Sequence, residues 1–174
     1  MAEPETTGPM TDLPEFAEAV AMSSTVTSQL PDIRDMLHPG CVVCGKGNLR
    51  GLKVDFVSCD DGSVIGLFRG DATLQGYSGV LHGGIIAALL DGAMTNCLFA
   101  HKICAVTAEL NVRYHDPVFA DKAVLLSASI SRSAHHLHVM QAALKQEGKV
   151  KAEAVGRFMP GHSEECKNLN KGET

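Results

Sequence analysis

The chain has 174 residues, 45% hydrophobic and only 5% aromatic with no tryptophan, which supports one domain whose core rests on Val, Ile, Leu, Ala and Met. A net charge of −5 and a pI near 5.9 exclude a general attraction to nucleic acid or to an anionic membrane, so a phosphate-bearing ligand needs a local basic patch. No Lys or Arg precedes Arg34 and no membrane-length apolar stretch stands out, so the expectation is a cytoplasmic protein, not membrane-bound, whose six cysteines are free thiols.

Residues 1–37 are rich in Pro, Thr, Ser and acids and read as a flexible or partly helical N-terminal segment. Within it, apolar residues at 13, 16, 17, 20 and 21 after a Pro-Glu start predict a short amphipathic helix over 13–22. The globular domain spans 38–160, and 161–174 read as a polar, frayed tail. The domain opens on His38-Pro-Gly-Cys41-Val-Val-Cys44, which offers three zinc ligands. A tetrahedral site needs four, and neither a second Cys-x-x-Cys nor a His pair at finger spacing follows, although Cys59 is available; the reading preferred is a turn-rich loop with small buried thiols and no metal.

Leu52–Val57 and Val64–Phe68 alternate around Asp60-Asp61-Gly62, which predicts a hairpin. Next, Gly76 and Gly79 suit a tight loop that feeds a helix from Gly83 to Ala100. Apolar residues at 85, 86, 89, 90, 93, 94, 97 and 98, with Ala87 and Ala88 between them, leave that helix buried nearly all round. Asp91 is its anomaly. A carboxylate there is hydrogen-bonded, paired or kept for chemistry, because desolvating it uncompensated is costly. His82-Gly83-Gly84 precedes it, and a helix start of this kind presents free N–H groups to a developing oxyanion. Gly84 and Asp91 are seven residues apart, roughly 10 Å along the axis. One carbonyl carbon cannot meet both, so a composite site requires a two-fold dimer with the helices antiparallel.

Four further strands are predicted at 106–114, 124–131, 137–144 and 150–158, with turns at 131–134 and 146–148, forming an antiparallel meander. His135, His136 and His138 read as strand surface. Two strands, one buried helix and four strands make an α+β fold in which a curved antiparallel sheet wraps one long central helix.

Leu81-His-Gly-Gly-Ile-Ile-Ala-Ala-Leu-Leu-Asp91, Thr107-Ala-Glu-Leu-Asn-Val-Arg-Tyr-His-Asp-Pro117 and Ala152-Glu-Ala-Val-Gly-Arg-Phe158 together resemble the hotdog-fold acyl-CoA thioesterases of the PaaI type, over residues 41–160. The resemblance implies a homodimer, often paired again into a tetramer, with CoA present only as part of the substrate and no separate cofactor. It implies Asp91 as general base or nucleophile, the Gly84 amide aided by Gly83 as oxyanion hole, and His82 as a loop or substrate contact. Thr107 would position water, Gln75 stands nearest to an amide that relatives carry before the Gly-x-x-His, and Arg113, Arg132 and Arg157 would meet the CoA phosphates. A hydratase on the same fold is disfavoured, because relatives of that type carry His five residues after the Asp and here that residue is Asn96. A non-catalytic acyl-CoA binding module is the other alternative.

Overall fold

The structure is a computed structural model that describes residues 17, 29–134 and 136–171. The helix expected over 13–22 lies outside the described residues, apart from Ala17. The described elements run α1 (Leu30–Leu37), β1 (Phe56–Ser58), β2 (Val64–Arg69), α2 (Gly83–Ala100), β3 (Ala105–Tyr114), β4 (Ala123–Ala134), β5 (Leu137–Gln146), β6 (Lys149–Pro160) and α3 (Glu164–Lys171).

Apolar residues on every side of α2 leave it only one stable place, the centre. Leu89, Leu90, Ala93, Met94, Cys97 and Leu98 are wholly buried. The sheet packs across it closely enough that a Cβ on Gly156 of β6 would come within 2.6 Å of Met94 Sδ, and the loop after α1 presses so near that one on Gly92 would come within 2.6 Å of Val43. The same all-round apolarity gives the 18 residues of α2 a mean hydropathy of 1.4, sufficient by length and composition to cross a bilayer. That corrects the expectation that no stretch approaches a membrane span, and the reason is its enclosure within the sheet.

The six strands form one antiparallel sheet in the order β1-β2-β4-β5-β6-β3. β4, β5 and β6 are a meander as expected, but β3 is not its first strand: it pairs with β6, from Ala105 opposite Pro160 to Tyr114 opposite Ala152. β2 pairs with β4 from Val64 opposite Ala128 to Arg69 opposite Ala123, leaving β3 no place on that side. The predicted turn at 131–134 is also corrected, since β4 carries on to Ala134 past an irregularity between Ile130 and Arg132. The turn between β5 and β6 falls where expected. Glu147 and Gly148 both have positive φ, 53° and 74°, as a two-residue type I′ hairpin turn requires.

Where a frayed tail was expected, α3 packs back on the domain with Leu169 and Cys166 buried. Cys104, in the link from α2 to β3, forms a disulfide with Cys166, their Cα atoms 5.0 Å apart. The Asn170 side chain brackets the same residue, accepting from Cys104 N–H at 2.8 Å and donating to its carbonyl at 3.0 Å. The expectation of six free thiols is corrected accordingly; Cys41, Cys44, Cys59 and Cys97 are free.

Candidate active site

The loop from Gln75 to His82 is closed by its own polar groups. Gln75 Oε1 accepts from Gly79 N–H at 2.9 Å, Gly76 N–H bonds Val80 O at 2.9 Å, and His82 N–H bonds Leu74 O at 2.9 Å. Gly79 takes φ +75° to make this bend. The loop is then tied to residues 118–120, with Leu81 N–H on Val118 O at 2.8 Å and Ala120 N–H on Gly79 O at 3.0 Å. Those residues are themselves held by the buried Gln146 amide, which accepts from Phe119 N–H at 2.9 Å and donates to Phe119 O at 3.0 Å. Gln75 is therefore a loop brace in this structure.

His82 is the N-cap of α2. Its backbone is extended, with φ −62° and ψ 135°, and its Nδ1 accepts from Gly84 N–H at 2.9 Å, an imidazole standing where Ser, Asp or Asn more often caps. The Gly84 amide assigned to an oxyanion is thus engaged by the cap. Gly83 N–H, the first of the helix, has no acceptor among the described residues. Tyr114 completes this end: its hydroxyl donates to Gly83 O at 2.9 Å, which ties the far end of β3 to the helix start. Tyr114 lay inside a recognised motif, but nothing in a strand's alternation marks which aromatic reaches across to a helix terminus.

Two turns further along α2, Asp91 is half-buried and Thr107 Oγ1 donates to its Oδ1 at 2.7 Å. Oδ2 has no hydrogen-bond partner among the described residues. Burial pushes the Asp91 carboxyl above its ordinary pKa, while the Thr107 hydroxyl and the charge of His38 oppose that rise. His38, in the turn after α1, packs edge-on to Phe99 with ring centroids 4.8 Å apart. Burial lowers its pKa against the pull of Asp91. No sequence pattern had placed His38 beside the helix carboxylate, because the loop that carries it is separated from Asp91 by two strands.

The arginines are not gathered at this site. Arg132 stands opposite Val139, Val139 opposite Arg157, and Arg157 opposite Glu109, so Arg132 and Arg157 share a row on the sheet face turned away from α2. Arg157 is ion-paired with Glu109. Arg113 lies on the same outer face and, with Asn111, Ser129, Gln141 and Glu153, lines a groove of about 770 Å³ there. Asp91 and Thr107 belong to the opposite face. Of the His cluster, His135 lies outside the described residues and His136 is exposed as expected, but His138 is buried, within 2.8 Å of Ser133 Oγ, and burial lowers its pKa.

A model of the thioesterase superfamily matches residues 78–153. Acyl-coenzyme A thioesterase THEM4 of Bos taurus is 32% identical over 79 residues, 45% of this chain and 32% of that protein; the chain thus spans about a third of the length of this curated relative. Among solved structures, a thioesterase superfamily protein superposes with a TM-score of 0.68 at 22% identity, covering 90% of this chain and 81% of its own. The E. coli PaaI protein from the phenylacetic acid degradation operon superposes with a TM-score of 0.58 at 20% identity, covering 62% and 79%. Residues 78–153, which hold the capped helix start, Asp91, Thr107 and three complete strands, are thus the part of the chain that is similar to the thioesterase superfamily, and the chain has the hotdog fold.

Proposed function

We propose that the chain hydrolyses acyl-CoA thioesters, with Asp91 as the base or nucleophile. The observation that carries this reading is the Asp91 carboxylate itself, set in an apolar helix with one oxygen fixed by Thr107 and the other open, inside the segment that matches the thioesterase superfamily. The name of the matched relative supports the acyl-CoA substrate class. Acting as base, Oδ2 takes a proton from water, and the hydroxide adds to the thioester carbonyl carbon. The carbonyl oxygen becomes an oxyanion, held by an N–H at the start of α2. Collapse breaks the C–S bond, and the proton on Asp91 passes to the CoA thiolate. Acting as nucleophile, the same oxygen adds to the carbonyl carbon and the C–S bond breaks, giving an acyl-enzyme anhydride and CoA thiolate; water then hydrolyses the anhydride to the free acid and the Asp91 carboxylate, and a proton of that water goes to the thiolate.

Within one chain the Gly83 amide and Asp91 are eight residues apart, about 12 Å along the helix. We therefore place the two halves of each site on two subunits, with the Gly83 N–H of one protomer serving the partner's Asp91. β3 supports such pairing, since it ends the sheet and its ten residues leave one edge without a neighbour among the described residues.

The deciding experiment follows loss of thioester absorbance with acetyl-, hexanoyl-, palmitoyl- and phenylacetyl-CoA for wild type and Asp91→Asn. Turnover that falls at least about a hundredfold in the variant is expected. Tight CoA binding with no turnover on any member would replace this reading with an acyl-CoA binding module.

A further inference from the structure

The turn that follows α1 carries a cluster for which the thioesterase reading has no use. His38, Cys41 and Cys44 each present a donor atom, and the three atoms lie within 4.8 Å of one another. Local backbone bonds shape the cluster: Cys41 N–H donates to His38 O at 3.1 Å and Gly45 N–H to Cys41 O at 3.0 Å. A Cβ at Gly45 would strike the Cys41 backbone and the His38 carbonyl, so the curl requires glycine directly after the second cysteine. Val43 N–H is directed at Cys41 Sγ, 3.4 Å away, which fixes where that sulfur points.

Two buried atoms around the cluster lack what a protein interior normally supplies. His38 Nδ1 and Asn96 Oδ1 are both buried without a hydrogen-bond partner among the described residues, and the Asn96 side chain lies against the Cys44 sulfur. Orphaned buried polar atoms are rare and call for an explanation, an unseen ion among them. An imidazole nitrogen beside two sulfurs is a donor set for a borderline-soft cation rather than for magnesium or calcium.

We propose that His38, Cys41 and Cys44 bind one zinc ion, leaving its fourth position to water. Zinc with bonds of about 2.3 Å to sulfur and 2.0 Å to nitrogen sets its ligand atoms roughly 3.5–3.8 Å apart, a modest contraction from the separation seen. On binding, the two thiols release their protons to solvent, and a dication with two thiolates and a neutral imidazole carries no net charge. That neutrality suits the surroundings, where His38 abuts Phe99 and Val43 is pressed on Gly92. The ion would fasten the chain at 38–44 to α2 at positions 92, 96 and 99, alongside Asp91.

The test uses the full chain, stripped by chelator under reducing conditions and resupplied with Zn²⁺ or with Co²⁺ as a spectroscopic probe. One zinc per chain by elemental analysis is expected. With cobalt, thiolate-to-metal charge-transfer absorption and the intense visible bands of a tetrahedral ion should appear. Cys44→Ser and His38→Ala should each weaken zinc binding at least about a hundredfold and abolish the rise in Tm that zinc gives the wild type, whereas Cys59→Ser and Cys166→Ser should change neither. Wild type that takes up no stoichiometric zinc at micromolar concentration, or binding that survives Cys44→Ser and is lost in Cys59→Ser, overturns the proposal. If Cys44→Ser does not fold, the wild-type cobalt spectrum decides, since absent charge-transfer absorption is equally fatal.

Discussion

Gly83 has two separable duties, opening the helix and offering an amide, and a proline tells them apart. It is the first residue of α2, where proline is well tolerated because that N–H has no helical partner. His82 before it already holds φ −62° and ψ 135°, the region that a residue preceding proline prefers. A Cβ at 83 would meet only Tyr114, at an ordinary 3.6 Å. Gly83→Pro is therefore expected to fold with a Tm near that of wild type while thioester hydrolysis drops about 10²–10³-fold; an unchanged rate would remove this amide from the chemistry. At the other pole of the site, the Thr107 hydroxyl holds down an Asp91 pKa that burial raises. Thr107→Val removes that restraint, so the carboxyl should titrate higher still. Since the proposed mechanism uses the carboxylate, the acid limb of the rate profile should move to higher pH, and a profile that stays in place would show that Thr107 does not tune Asp91.

At the scale of elements, the sequence disclosed what obeys local rules and withheld what depends on distant partners. Unbroken apolarity across α2 announced a central helix, and Asp91 was conspicuous within it. Gln146-Glu-Gly148 announced its turn through residues that accept positive φ. The place of β3 was not legible, because alternation says that a strand exists and nothing about which edge receives it. Likewise α3 buries only Cys166 and Leu169, too thin a stripe to separate a packed helix from a polar tail, and with α3 unseen the partner of Cys104 was unseen too. The disulfide spans 62 residues, and chain-entropy reasoning assigns such a closure about 4 kcal/mol. Thermal unfolding with and without reductant should show a loss of that order in wild type and none in Cys166→Ser. Equal responses would mean that the bracket made by Asn170 suffices.

For the whole molecule, one chain holds the parts of a site without joining them. The helix start and Asp91 are too far apart to share a carbonyl, and the three arginines face away from both. If sites form between subunits, an inactive Asp91→Asn protomer and an inactive Gly83→Pro protomer together make one dimer interface with an intact site on one side. Mixing the two after dissociation and reassociation should restore about a quarter of wild-type activity for random pairing, that is, one good site in half of the dimers. No recovery, with mixed dimers verified by mass, would return both roles to a single chain.

The pairing of β3 with β6 also sets an order of events. Thr107 lies opposite Phe158, and β6 is the strand that holds β3 in the sheet, so the hydroxyl reaches Asp91 only after a stretch fifty residues downstream has been synthesised and docked. A nascent chain has both members of the pair long before it has the strand that brings them together. Closing so long a loop is slow compared with winding a helix. The central helix is thus available early as a surface to fold upon, while the contact between Thr107 and Asp91 waits on β6, so on the proposed function a chain cut short before β6 is expected to lack thioester hydrolysis.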